Sequence, residues 1–192
     1  MSGKSELLLE RLSVKLGSYL LEAWVDRGDA MVRIAPGNIL DLFRLLKLDA
    51  ELSFDFLVDI TVVDWMDSAA ERFEVVYQLL SLRHSHRLRV KVWLPESKPE
   101  IPSITPIWHS ALFLEREAWD MFGVVFSEHP DLRRILMYDE FKGHPLRKDY
   151  PVQAKQPRIK LRAPEVQNTA RLMERPDLVQ IKSRKSVTGG QP

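Results

Sequence analysis

Apolar residues recur along this chain with two different periods, and each change of period marks a new element. In residues 6–16 they fall at Leu8, Leu9, Leu12 and Leu16, the spacing of an amphipathic helix, and Gly17 stops it. Residues 19–25 and 30–34 read as short strands around Asp26-Arg27-Gly28-Asp29, a hairpin turn. Pro36-Gly37-Asn38 opens a second helix over 39–48, with Asn38 as N-cap and Ile39, Leu42, Phe43 and Leu46 inward. Strands are predicted at 54–64, 73–82 and 88–94. The last places Leu88, Val90, Val92 and Leu94 on one face and Arg89, Lys91 and Trp93 on the other. Residues 95–106 hold four prolines and read as a loop. Thr105-Pro106 then starts a helix over 107–122 with the stripe Ile107, Ala111, Leu114, Ala118 and Met121, which Gly123 ends. A short strand at 124–126 follows, and Asp131 is placed to cap one helical turn through Leu136.

Strands cluster instead of alternating with helices. The class expected is α+β: a mostly antiparallel sheet with helices packed on one face, followed by an extended C-terminal tail. Residues 1–150 form the globular domain and 151–192 the tail. The tail has nine Lys and Arg against three Asp and Glu, five prolines and no aromatic residue, whereas residues 1–150 carry 19 basic against 24 acidic residues. Such a tail buries too little apolar surface to order itself alone.

Composition adds exclusions. At 45% hydrophobic and 29% charged residues, the chain has the makeup of an ordinary globular protein able to bury a core. No apolar run approaches the ~18–20 residues of a membrane helix. Glu6, Glu10 and Arg11 break up Leu7-Leu8-Leu9, so no signal peptide is expected. The absence of cysteine removes disulfides, cysteine-bound iron–sulfur clusters and thiol nucleophiles. A cytosolic or membrane-peripheral location fits.

Charge and aromatics concentrate in residues 113–151. Glu115, Arg116, Glu117 and Asp120 share a helix with Trp119 and Phe122, and Arg116 stands four residues before Asp120, pairing distance on a helix. His129-Pro130 leads to Arg133-Arg134, and His144-Pro145 to Arg147-Lys148. Paired carboxylates suit acid–base work, but charges packed on Arg133, Arg134 or a partner explain them without catalysis. His84 and His86 are two apart, as metal ligands on a strand would be, yet they sit in a basic turn without a nearby third ligand. His129 and His144 precede proline, and no serine or cysteine stands in a nucleophile elbow. Neither a GxGxxG nor a Walker loop is present, so no nucleotide site is indicated.

EREAWDMFGVVFSEHPDLRRIL, followed by GHPLRKDYP, resembles the signature of the 30-kilodalton subunit family, the C subunit of proton-pumping NADH:quinone oxidoreductase (respiratory complex I). Glu128 departs from the small or amide residue expected before His-Pro, and residues 138–142 look locally variable. The resemblance is to the stand-alone form, without a fused domain of the quinone-site type. It implies a peripheral protein on the cytoplasmic side of the inner membrane. It implies no catalytic, cofactor or metal residue in this chain, with FMN and iron–sulfur clusters held by partner subunits. It implies packing against the large quinone-site subunit and neighbouring iron–sulfur subunits. The interface residues it points to are Glu115, Arg116, Glu117, Asp120, Arg133, Arg134, Arg147, Lys148 and Asp149. Two alternatives stand beside it. One is the equivalent subunit of a membrane-bound hydrogenase or of a quinone oxidoreductase fed by another donor. The other is a nucleic-acid-binding protein using the basic tail, against which the acidic body argues.

Overall fold

The computed structural model describes residues 2–153 and 155–157; of the tail expected over 151–192, residue 154 and residues 158–192 lie outside the described residues. Helix α1 spans Ser2–Leu16 and buries Leu8, Leu12 and Leu16. Strands β1 (Leu20–Asp26) and β2 (Asp29–Ile34) form a hairpin. Its two turn residues, Arg27 and Gly28, both have positive φ, the geometry that matches strand twist. Helix α2 is Ile39–Leu48, with Ile39, Leu42, Phe43 and Leu46 buried as their spacing predicts. Asn38 occupies the N-cap position but makes no side-chain cap bond; the preceding Pro36–Asn38 turn is already helical, as a 3-10 turn.

Strands β3 (Phe56–Asp64), β4 (Phe73–Ser81) and β5 (His86–Leu94) complete a five-stranded sheet in the order β1-β2-β5-β4-β3. Three pairings are antiparallel and β2–β5 is parallel. The α+β class therefore holds. Val75, Tyr77 and Leu79 on β4 pair across to Val92, Val90 and Leu88 on β5, and this face is the core. The three helices supply its cover. Phe43 of α2 meets Tyr77 and Trp108 edge-on at 4.9 and 5.6 Å. On the opposite face Glu74 pairs with Lys91 at 2.8 Å, and Trp65 stacks on Trp93.

Three expectations need correction. Helix α3 begins at Ala111 and ends at Phe122, instead of starting at 107. Residues 104–110 are turns, in which the amides of Ile107 and Trp108 both bond to the Ile104 carbonyl. The proline-rich loop also contains a short strand, β6 (Glu100–Pro102), paired in parallel with β7 (Val125–Ser127). And Asp131 starts no helix: residues 131–136 have no helical turn, because the amides that would build one are held elsewhere.

The Tyr77 hydroxyl is buried on this core with no hydrogen-bond partner among the described residues. A buried, unpaired hydroxyl costs stability. Tyr77→Phe should therefore raise unfolding free energy by about 1–2 kcal/mol in urea titration; a fall would mean the hydroxyl is bonded.

Candidate functional site

Helix α3 is unusual in turning charge inward: Glu115, Arg116 and Asp120 are all buried. Asp120 explains the segment that follows. Its Oδ2 accepts the backbone N–H groups of Ile135, Leu136 and Met137 at 3.1, 2.9 and 2.8 Å, and its Oδ1 pairs with Arg134. Burial by itself pushes this carboxyl up; the Met137 amide, Arg134 and the other two amides outweigh it and hold Asp120 below the ordinary carboxylate range. Three amides converging on one oxygen form an anion cradle, and here the anion is the chain's own.

Arg134 is the second tie. It donates to the carbonyls of Phe141 and Gly143 at 2.8 and 3.1 Å, and it lies 5.7 Å from the Trp119 ring centre and 5.5 Å from that of Phe141. Arg116 does not pair with Asp120, although their spacing predicts it. It donates instead to the carbonyls of Arg133 and Arg134, at 3.1 and 3.0 Å.

The end of α3 is tied down in the same way. Gly123 takes φ +75, and a Cβ there would run into Arg147 and His144. Arg147 donates to the Phe122 carbonyl and lies 5.0 Å from the Phe73 ring centre, while His144 Nδ1 donates to the Asp120 carbonyl at 3.0 Å. The amide of Lys148 reaches Asp64 at 2.9 Å. Asp64 in turn takes Nε and Nη2 of Arg72, each at 3.0 Å, and Arg72 also holds Asp149 and Glu96.

Glu115 occupies a different setting. Its carboxyl accepts Ser103 Oγ at 2.6 Å and the Ile104 amide at 2.8 Å. His129 Nε2 is 3.9 Å away, but Asp131 donates its amide to His129 Nδ1 while Nε2 donates to the Leu112 carbonyl. That pattern fixes a neutral imidazole, which offers Glu115 no counter-charge. Burial pushes Glu115 up to about 7 against the opposing pull of Ser103 and Ile104.

The chain matches, over residues 32–156, the family described as respiratory-chain NADH dehydrogenase, 30 Kd subunit. It belongs to that family. It is 46% identical over 145 residues to the NADH-quinone oxidoreductase C subunit of Trichlorobacter lovleyi, covering 76% of this chain and 88% of the relative. The corresponding protein of Roseiflexus castenholzii is 45% identical over 149 residues, covering 78% and 85%. That of Geobacter sulfurreducens is 42% identical over 143 residues, covering 74% and 87%. Among solved structures, a trypsin-resistant fragment of Nqo5 superposes with TM-score 0.57 at 36% identity, covering 66% of this chain and 98% of the fragment. A chain of the membrane-bound sulfane sulfur reductase, an archaeal respiratory membrane complex, superposes with TM-score 0.68 at 27% identity, covering 78% and 87%.

Within this 30 Kd subunit, the nine residues singled out from the signature divide by exposure. Glu117, Arg133, Lys148 and Asp149 face solvent, Arg134 and Arg147 are half-buried, and Glu115, Arg116 and Asp120 are buried by their own chain. Phe113, Leu136 and Leu146 of the same stretch are also exposed, each by more than half of its surface. Sequence reasoning missed Asp64 and Arg72, whose contacts cross 84 and 8 positions of chain, and it read Gly123 only as a helix stop. The signal for the first pair was faint: one acidic residue closing a strand and one basic residue opening the next. His84 and His86 stack on each other and bond to the carbonyls of Ala50 and Leu52. Among the described residues no three potential ligands gather into a metal site, and no helix is long and apolar enough to cross a membrane.

Three outcomes test this network. Asp120→Ala removes the carboxylate partner of Arg134 and leaves three amides without their acceptor, and should cost about 3–5 kcal/mol of unfolding free energy. Gly123→Ala meets both an unfavourable φ and occupied space, so it should lower Tm, unlike an alanine placed at the open Gly37. Glu115 has a folded pKa above its ordinary value near 4.5, so folding takes up a proton. Its contribution is complete at low pH and declines as pH rises from about 4.5 through about 7. Glu115→Gln should flatten that decline, on the order of 2–3 kcal/mol, in unfolding titrations across that range; an unchanged slope would contradict the assignment.

Proposed function

We propose that this chain is a non-catalytic structural subunit of the peripheral arm of an NADH:quinone oxidoreductase. The complex passes electrons from NADH through FMN and iron–sulfur clusters, held in other subunits, to quinone and couples this to proton translocation. The observation that carries the proposal is the relation, at 42–46% identity over about three quarters of the chain, to the C subunits of three bacteria. The geometry supports a bracing role. The buried carboxylate Asp120 and the arginines 116 and 134 are spent on the chain's own backbone, which suits a frame for docking better than turnover.

In this reading the exposed Glu117, Arg133, Lys148 and Asp149, with Phe113, Leu136 and Leu146, touch the quinone-site subunit and its iron–sulfur neighbours. Glu115, Arg116, Asp120, Arg134 and Arg147 shape that surface from behind. The protein sits peripherally on the cytoplasmic side of the membrane. A second reading is favoured by the likeness to the sulfane sulfur reductase chain: the same bracing role in a respiratory complex fed by another donor.

Affinity purification of the tagged chain from gently solubilised membranes distinguishes these. Flavin- and iron–sulfur-bearing subunits with NADH:quinone activity support the first reading. A reductase or hydrogenase of another donor supports the second. Recovery of the protein by itself, or with RNA, contradicts both. The double variant Arg133→Glu, Leu136→Glu should leave Tm of the free chain unchanged and reduce recovery of the other subunits about tenfold or more.

A further inference from the structure

The face of the sheet opposite the helices is sealed over only part of its area. Toward the start of β4, Glu74 pairs with Lys91 and accepts the Trp65 indole N–H, Trp65 stacks on Trp93, and Val76 is buried. Toward the other end of the same strand this cover stops. A groove of about 260 Å³ lies there across β3, β4 and β5, lined on this face by Phe56, Val58, Gln78, Leu80, Arg87 and Arg89. Register sets them side by side: Phe56 pairs with Leu80, Leu80 with Arg87, and Gln78 with Arg89. Phe56 and Val58 each leave nearly half of their surface exposed.

The charge of the groove is unbalanced as well. Two guanidiniums line it against one carboxylate, Asp29, which Arg89 reaches at 3.7 Å. Arg87 is exposed and forms no ion pair among the described residues. Apolar walls beside an unpaired guanidinium fit an apolar side chain with a carboxylate next to it, the first filling the hollow and the second gripped by the arginine fork. Shape and register disfavour other occupants. A lipid surface is flat on this scale and does not enter a hollow. β3 is a free edge of the sheet, but the bulge between Leu57 and Asp59 interrupts it, so a strand added along it from a second copy would not stay in step. We propose that this groove is an interaction surface for another protein of the complex, which inserts an apolar side chain flanked by an aspartate or glutamate. None of the signature residues lines it. It rests on the reading that the chain works within a multi-subunit assembly.

The test uses the full chain in the assembled membrane complex, with Phe56 replaced by the photocrosslinker p-benzoylphenylalanine, which keeps an aromatic ring at that position. After irradiation, mass spectrometry should place the crosslink in another subunit, close in sequence to an aspartate or glutamate. Arg87→Glu should reduce retention of the chain in the complex about tenfold, with the loss shrinking as salt is raised, and Arg87→Lys should lose less. Changing the acidic residue found by the crosslink to lysine should restore retention of Arg87→Glu, a rescue that a merely destabilised variant would not show. Tm of the free chain should not fall in Arg87→Glu, because that guanidinium has no ion pair there to lose. A crosslink to lipid, to a second copy of this chain or to a segment without an acidic residue would overturn the proposal. So would no crosslink in a complex that contains the chain, or normal retention of Arg87→Glu. A chain that enters no multi-subunit complex at all would overturn the assembly reading along with it.

Discussion

One carboxylate, that of Asp120, makes the rest of the signature segment possible. Beyond β7 the described residues form neither helix nor strand, so their amides and carbonyls find no ladder. Buried backbone groups must nonetheless be paired. Asp120 takes three successive amides and Arg134, while Arg116 and Arg134 take the carbonyls of residues 133, 134, 141 and 143. Side-chain charge thus stands in for secondary structure. Donors and acceptors alternate in sign along α3, which is why the motif is so rich in charge at a place where most helices carry apolar residues.

The same tie reaches the sheet. Gly123 lets the chain turn tightly enough for His144 and Arg147 to close over the end of α3, and Lys148 and Asp149 then meet the Asp64–Arg72 pair at the junction of β3 and β4. A segment without regular structure is thereby anchored at its beginning, middle and end to a packed core. The consequence is a fixed outer surface, with Arg133, Leu136, Leu146 and Lys148 presented from a backbone that has little freedom to rearrange. Preorganisation of this kind reduces the entropy lost on association.

Much of this was legible from residue order, and the gaps have physical causes. The hairpin at Arg27-Gly28, the bounds of α2 and the alternation of β5 follow from local rules, since period and turn chemistry act over a few residues. The start of α3 was misplaced because Thr105-Pro106 is a valid helix opening in isolation; packing of Ile107 and Trp108 in the core keeps that stretch as turns. Asp131 has the right chemistry for a cap, but its helix would need amides that Asp120 already holds. The parallel β2–β5 pairing and the Asp64–Arg72–Lys148 contact join residues distant in sequence, which periodicity does not report. Charges in the signature were readable as important, yet their direction was not: a helical face shows which residues share a side, not whether that side meets solvent or the following loop.

In the proposed function, the buried and exposed halves of the signature divide the labour, one making the shape and the other offering it. With Asp120 holding the backbone, that shape exists before any partner arrives. Hydrogen–deuterium exchange at the amides of Ile135, Leu136 and Met137 in the free chain probes this without an intermediary. Slow exchange is expected at all three in the isolated protein. Fast exchange there, with protection appearing only in the assembled complex, would mean that the partner, and not Asp120, orders the segment.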